Sequence, residues 1–284
     1  MKKVLVVLLI AVVAVAAWFL APRFMDKPVE PPPVPETMAE AEPPPEPEVR
    51  PTEPEVATPM TQAEPYESAP AEPPPEPLPA LSDSDPVVRE TVQEVTGGVA
   101  PNEVQLRDSI VPRLVAAVDA LTGNQVPGSL LPVEAPPTPF QANVDFQPPT
   151  VVTNAQGDEL EQYTLDPVNF ARYEPYVDYL ESIDAGQFAA EYLHYNPLLQ
   201  QAYAELGYPD GDFTARLLEV IDHLLATPQP EGPVRLVKPE AYYEFVDPEL
   251  EALSAGQKLL IRMGGDNAER VRRKLVELRT VLGG

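Results

Sequence analysis

The chain has 284 residues, of which 39 are proline and none is cysteine, and its formal net charge is −26. A chain without cysteine forms no disulfide, no thiolate metal site and no cysteine nucleophile. So acidic a composition argues against nucleic acid as a partner, because phosphates are bound by basic surfaces.

The N-terminal segment predicts a membrane anchor. Residues 4–21 form an unbroken apolar run of 18 residues, which as a helix nearly crosses a hydrocarbon core of roughly 30 Å. Trp18 lies near the far end of the run, where an interfacial aromatic residue is expected. The alternative is a signal peptide cleaved near Ala16, but the run continues beyond that point and exceeds the usual signal-peptide core. We therefore expect residues 1–27 to remain as an uncleaved anchor.

A proline- and glutamate-rich segment follows at residues 28–80, with 19 prolines and 12 glutamates. Proline removes backbone donors and the glutamates repel one another, so this composition predicts a disordered, extended linker. The alternative is a ligand of the P-x-x-P type, although that motif is common in any proline-rich segment.

Residues 81–284 predict one mostly helical domain with a minor β-hairpin, so the fold class is mainly α. Asp85 is expected to cap a first helix. Residues 102–121 are expected to form a second helical region, which Pro112 divides. Residues 122–149 are expected to be irregular and partly extended, and residues 150–165 to form the hairpin.

The second half of the domain is predicted to be almost entirely helical. A break is expected between Asn196 and Pro197, because a residue before proline avoids the helical region. Capping boxes are expected at Ser254 and Asp266. The predicted helical segments are 166–183 (bent or split at Pro175), 184–207, 212–226, 248–253, 254–263 and 266–282, with a short extended piece at 234–239.

The segment 212–226 holds an acid-rich stretch that invites a functional interpretation. Asp212 is placed to cap the helix, and the apolar residues from Phe213 onward share one broad arc. Arg216, Glu219, Asp222 and His223 lie on the opposite arc, where we expect a solvent face with Glu219 and His223 paired. A calcium loop counted from Asp210 is excluded, because Ala215 and Ile221 replace its glycine and glutamate.

Other candidate sites are weaker. Glu191 and His194 have the Glu-x-x-His spacing of di-iron bundles, but such sites need a second copy. His194 and His223 are expected on the polar sides of their helices, with Phe188, Tyr192 and Leu193 facing the core. No G-x-S-x-G nucleophile motif is present. We therefore predict no catalytic, cofactor-binding or metal-binding residue and expect no cofactor.

Two further patterns have a functional and a structural explanation each. Ten tyrosines between residues 163 and 243 either line a groove or fill the core, and core packing is favoured. The basic run 270–274 is expected to be a solvated helix face, with Asp266–Arg270 and Glu269–Arg273 pairs. Gly264-Gly265 lacks the lysine of a phosphate-binding loop and is expected to end one helix before the next begins.

Three stretches carry a resemblance to a known family: NFARYEPYVDYLESIDA, NPLLQQAYAELGYPDGDFTARLLEVIDHLLATP and YEFVDPELEALSAGQKLLIRMGGDNAERV. They resemble a bacterial family known only as domain of unknown function 3014, and the resemblance covers roughly residues 81–282. It implies a proteobacterial protein with a membrane segment, a proline-rich tether and this domain. It implies no activity, substrate or site residue.

The layout predicts a single-pass protein of the bacterial inner membrane, anchored by residues 4–21, with its helical domain in the periplasm. We expect a non-enzymatic interaction or scaffold module whose partner is an envelope protein or the cell wall. One alternative is an envelope hydrolase of cell-wall or polysaccharide substrates, using Glu191, Glu219 or Asp222. Another is an energy transducer of the TonB kind, although the anchor holds no ionisable residue to couple to a motor.

Overall fold

The structure is a computed structural model that describes residues 78–95, 106–132, 140–143, 151–154, 156–240 and 242–283. These residues belong to one compact unit. Within them, no helix is both long enough and apolar enough to cross a membrane. The predicted anchor and all but the last three residues of the predicted linker lie outside the described residues, so both stay predictions.

The described residues form a mainly helical fold with a small sheet. The helices are α1 (Asp85–Val95), α2 (Ile110–Ala120), α3 (Val168–Ala171), α4 (Glu174–Ser182), α5 (Ala185–Glu205), α6 (Phe213–Leu225), α7 (Pro248–Glu251), α8 (Ala255–Arg262) and α9 (Gly265–Gly283). The strands are β1 (Ala142–Asn143), β2 (Gln162–Leu165), β3 (Arg235–Val237) and β4 (Glu244–Phe245), and two short 3-10 helices span Leu81–Asp83 and Gly128–Leu130.

The main hydrophobic core lies between α2, α4, α5, α6, α8 and α9. Its largest fully buried side chains include Tyr173, Tyr192, Phe188, Phe213 and Leu114. The apolar arc predicted for α6 is confirmed, because Phe213, Leu217, Val220, Ile221 and Leu224 are all buried. Burial of this arc, rather than helix propensity, accounts for most of the stability of such a helix.

Two glycines are required by close contacts. Gly256 on α8 lies against α6 and the end of α2: a Cβ there would be 2.6 Å from Leu224 Cδ2 and 3.0 Å from the Leu121 carbonyl oxygen. Gly264 between α8 and α9 has a φ of +86°, and a Cβ there would be 2.7 Å from the Phe170 ring. A side chain at either position would force neighbouring atoms apart.

The sheet is antiparallel throughout, in the order β1-β2-β3-β4. Tyr163 pairs with Leu236, which in turn pairs with Phe245. Leu165, Leu236 and Phe245 form a second, smaller core with Ile261 of α8. The sheet is therefore attached to the helical bundle through α8.

The prediction of a minor hairpin is thus only partly right. Its turn is present, because Asn154 Oδ1 accepts hydrogen bonds from Gln156 N at 3.0 Å and Asp158 N at 2.8 Å. Only one bridge, Thr153 with Glu159, follows this turn. β2 pairs instead with β1 and with the distant β3. A strand pairs with the neighbour that buries its apolar face. When that neighbour is distant in the chain, the local sequence does not specify the pairing.

Proline positions differ from the expectation in two places. Pro112 lies in the first turn of α2 and does not divide it, since the first helical N–H groups have no intrahelical acceptor. Pro197 lies inside the unbroken helix α5. The buried side chains that follow it, Leu198 and Leu199, keep the helix continuous at the cost of a backbone hydrogen bond. The predicted split near Pro175 is confirmed, with Pro175 in the first turn of α4.

Asp85 acts on a different helix from the one predicted. It is the first residue of α1, and its carboxylate accepts hydrogen bonds from Ser109 N at 2.6 Å and Ile110 N at 2.8 Å. Asp85 therefore satisfies the free N–H groups at the start of α2, where the Ser109 side chain makes no capping bond. Similarly, α9 begins at Gly265, so Asp266 lies inside its first turn and not at its N-cap.

Candidate functional site

The start of α6 is built as predicted. Asp212 accepts hydrogen bonds from Thr214 N at 2.7 Å and Ala215 N at 3.1 Å, so it is the N-cap. Thr214 also hydrogen-bonds the hydroxyl of the buried Tyr192 at 2.8 Å. Burial raises the pKa of that phenol to about 12, so Tyr192 is neutral at physiological pH. The acidic residue Asp212 therefore serves to cap a helix.

The charged arc of α6 is partly solvent-exposed as predicted, because Glu219 and Asp222 are exposed, while Arg216 is half-buried against α2. Arg216 Nε donates to Asp119 of α2 at 2.7 Å, and Arg216 Nη1 donates to Glu219 at 2.9 Å. Asp222 is paired with Arg279 of α9, whose hydrogen bond holds the pKa of this carboxyl below its ordinary value. Both carboxylates considered for catalysis on α6 therefore serve in ion pairs.

His223 is not paired with Glu219, as the sequence led us to expect. Its Nε2 lies 2.8 Å from Oγ of Ser254, the N-cap residue of α8, and the histidine is half-buried. Glu219 pairs instead with Arg216, three residues earlier on the same helix, whose guanidinium is always charged. The predicted capping box at Ser254 is confirmed, so His223 contacts a structural hydroxyl.

The Glu-x-x-His pair is divided between core and surface. Glu191 is buried, whereas His194 is half-buried and its ring contacts Tyr195 at 4.9 Å between centroids. Phe188 and Tyr192 face the core as predicted, but Leu193 is 72% exposed, contrary to the prediction. Within the described residues, no group of three or more potential metal ligands comes together.

Core packing accounts for most of the tyrosines that the structure describes. Tyr173, Tyr176, Tyr192, Tyr195 and Tyr203 all belong to the main core. Tyr208 is exposed and stacks on Tyr203, with 4.6 Å between ring centroids. The burial of these five rings favours core packing over a groove.

The basic residues of α9 are bound within the fold, but not to the predicted partners. Arg270 pairs with Asp178 and Glu181 of α4 at 2.5 and 2.6 Å. Arg273 also pairs with Glu181, at 3.3 Å, and Lys274 pairs with Glu277 at 2.6 Å. The predicted pairs within the helix are replaced by contacts between helices, because Asp178 and Glu181 of α4 lie within ion-pair distance of these guanidiniums.

Arg272 is the exception in this basic run. Its Nη2 donates to the backbone carbonyl of Thr227 at 2.7 Å, at the end of α6. Its Nε and Nη1 are each less than 1 Å² exposed and have no hydrogen-bond partner in the structure. No described carboxylate forms an ion pair with it. Arg272 as a whole is half-buried, but covered N–H groups without an acceptor are costly, which makes Arg272 a candidate for ligand binding.

Arg272 lines a cleft of about 490 Å³, here called the Arg272 cleft. One wall is the segment 228–234 after α6, and the opposite wall is formed by Leu260 and Ile261 of α8 and the first turns of α9. The end of β2 and Phe170 complete it. The lining residues are Thr164, Leu165, Pro167, Phe170, Pro228, Gln229, Pro230, Gly232, Pro233, Val234, Leu260, Ile261, Gly264, Gly265, Ala268 and Arg272.

The lining of the Arg272 cleft differs in charge from the chain as a whole. In a chain of net charge −26, its lining contains one cation and neither a carboxylate nor an imidazole. Most of the lining is apolar, with four prolines and one aromatic ring. The N-terminal end of α9 also borders the cleft and adds a positive potential. Such a surface is suited to recognising a ligand and lacks an acid–base pair for breaking bonds.

The sequence did not predict a site at Arg272, because the cleft that this residue lines is formed by three separate segments of the chain. One signal was present: acids stand four residues before Arg270 and Arg273, at Asp266 and Glu269, whereas Ala268 stands four residues before Arg272. Arg272 therefore has no acidic partner at this spacing, a property it shares with Lys274, which follows Arg270 by four residues.

Residues 110–279 match the profile of a family described as protein of unknown function, DUF3014. The chain belongs to the DUF3014 family. The matched range runs from the start of α2 into the last turns of α9, so it includes every segment of the Arg272 cleft; residues 81–109, which the sequence resemblance also included, lie outside it. No curated protein and no solved structure matches the chain.

Proposed function

We propose that this DUF3014 protein is a single-pass protein of the bacterial inner membrane whose helical domain lies in the periplasm. The support is the apolar run 4–21, followed by a proline-rich segment long enough to hold the domain away from the membrane. A reporter that is active only after export, fused after Ala80, tests this topology. We expect activity there; activity of a cytoplasmic reporter at the same position contradicts the proposal.

We also propose that the domain is a non-enzymatic binding module for another component of the envelope. The Arg272 cleft is the observation that supports it best, because its lining has a recognition chemistry and no pair of catalytic groups. The three acids considered for an envelope hydrolase do not line this cleft: Glu191 is buried, and Glu219 and Asp222 are in ion pairs.

Complementation of a gene deletion separates a binding module from a hydrolase. A binding module predicts that Gly265→Leu, which places a side chain at the border of the cleft, loses function in cells. It predicts that Glu219→Gln and Asp222→Asn keep function. The opposite pattern, with a functional Gly265→Leu variant and inactive carboxylate variants of normal abundance, favours the hydrolase.

A further inference from the structure

We propose that the Arg272 cleft binds a small organic carboxylate, meaning a ligand with one anionic group on an apolar body. This inference rests on the proposed binding function and names the chemical class of the ligand. It is drawn from the charge, the lining and the size of the cleft.

The charge of the cleft selects an anion. Arg270, Arg273 and Lys274 on the same helix each have a carboxylate partner, whereas Arg272 has only the Thr227 carbonyl. Its Nε and Nη1 together carry three N–H bonds that no group in the structure accepts. A carboxylate that reaches this guanidinium gains charge-assisted hydrogen bonds and neutralises a charge that has no counter-ion among the described residues.

The lining selects an organic anion over an inorganic one. Phe170, Leu260, Ile261 and the prolines would contribute apolar contact that a free phosphate ion cannot use. The volume of about 490 Å³ lies within the range of roughly 300–1,000 Å³ that is typical of small-molecule sites. A carboxylate on a short apolar or aromatic body fits both properties.

We expect access to Arg272 to depend on the wall segment 228–233, which supplies part of the cleft lining. The unpaired nitrogens are covered, so a ligand reaches them when part of the cleft wall moves aside. All six residues of 228–233 are exposed, and no hydrogen bond to a described residue holds their backbone. The segment is fixed at its two ends, where Thr227 N donates to Leu224 O at 3.1 Å and Val234 O accepts from Leu165 N at 3.0 Å.

Binding of phenylacetate, its neutral amide phenylacetamide and inorganic phosphate to the full-length chain in non-ionic detergent tests the inference. Ligand-observed NMR titration provides the affinities. We expect phenylacetate to bind about 10-fold or more tightly than phenylacetamide, the scale of one charge-assisted contact. Phosphate should compete weakly. Equal affinities for the acid and the amide, no binding of either, or phosphate as the tighter ligand would overturn the inference.

Variants locate the binding. Arg272→Gln should abolish the preference for the acid over the amide, and Arg272→Lys should keep part of it because the charge remains. Arg272 also holds the end of α6, so the melting temperature of each variant is measured. Gly265→Leu leaves Arg272 in place and should weaken both ligands, since a Cβ there meets no atom within 4 Å and the new side chain enters open space. Glu269→Leu, which adds leucine at an exposed site outside the lining, is the control and should change neither affinity; binding unaffected by Gly265→Leu contradicts the site.

The two proposals can fail separately. If Gly265→Leu loses function in cells but phenylacetate shows no preference over its amide, the ligand class is wrong and the binding module stands. If Gly265→Leu complements the deletion while the titration succeeds, the cleft binds carboxylates but the proposed cellular function is wrong.

Discussion

The imidazole of His223 near the end of α6 is hydrogen-bonded to the hydroxyl of Ser254, the N-cap of α8, with 2.8 Å between Nε2 and Oγ. The same hydroxyl accepts the N–H of Gln257 at 3.2 Å, and Gln257 Nε2 donates to the His223 carbonyl at 3.2 Å. Three residues thus join the C-terminal end of one helix to the N-terminal end of another.

We expect His223→Ala to lower the free energy of unfolding by about 1 kcal/mol, because it removes a half-buried hydrogen bond. Ser254→Ala should cost about as much, as N-cap removals do. Denaturant unfolding of the variants measures both. Ser254→Thr keeps the hydroxyl and is the control, and the double variant should cost less than the sum of the two single ones. A His223→Ala variant as stable as the wild type would mean that the imidazole does not hold the cap.

The ion pair of Arg216 and Asp119 should contribute more than a surface pair. Their side chains are 19% and 20% exposed, and Arg216 also donates to the Asp119 carbonyl at 3.0 Å and to Thr122 at 2.7 Å. We expect Arg216→Leu to destabilise by about 1–3 kcal/mol, the range for hydrogen bonds to charged groups. Glu219→Gln, which removes the partner that is 68% exposed, should cost no more than about 1 kcal/mol. Equal losses in the two variants would contradict this difference.

Gly256→Ala tests the close approach of α8 to α6. The added Cβ would lie 2.6 Å from Leu224 Cδ2, and we expect a loss of about 1–3 kcal/mol through overpacking. The matched control is Gly265→Ala, which also adds a methyl group to a helical glycine but meets no atom within 4 Å. That variant should be neutral or more stable by about 0.4–1 kcal/mol. Thermal unfolding of the two variants side by side shows whether the close contact or the lost backbone freedom of glycine sets the change in stability at each position.

Glu181 should make stability depend on pH. The hydrogen bond from Arg270 holds the pKa of Glu181 below its ordinary value, and Arg273 acts in the same direction. A carboxyl with a depressed folded pKa stabilises the protein above its unfolded pKa of about 4.3, and this contribution is lost as pH falls through the folded pKa. Glu181→Gln should therefore be less stable than the wild type at neutral pH, and the gap should close in acid.

The control for this pH dependence is Glu269→Gln on the same helix as Arg270. Glu269 is exposed and has no ion pair with a described residue. Its variant should follow the wild-type stability at every pH, and a gap that closes in acid for Glu269→Gln as well would show that the effect is not specific to Glu181.

Local signals determined much of the fold. The sequence correctly predicted the N-cap at Asp212 and the capping box at Ser254, because each joins a side chain to a backbone N–H only two or three residues away. It also correctly predicted the apolar arc of α6, which follows from the spacing of apolar residues along one helix. The same logic made Asp85 a cap, but the tertiary structure decided which helix it caps.

Long-range choices were decided by the tertiary structure alone. The sequence by itself determined that the domain is mainly helical, that Asp212 caps the start of α6 and that Ser254 opens a capping box. It could not determine that β2 pairs with β3, that Pro197 stays inside a helix, or that Arg270 binds α4. These outcomes depend on which surfaces meet when the core closes, and many carboxylates compete for each base. The Arg272 cleft exists for the same reason, since its walls at 164–170, 228–234 and 260–272 become neighbours only in the folded chain.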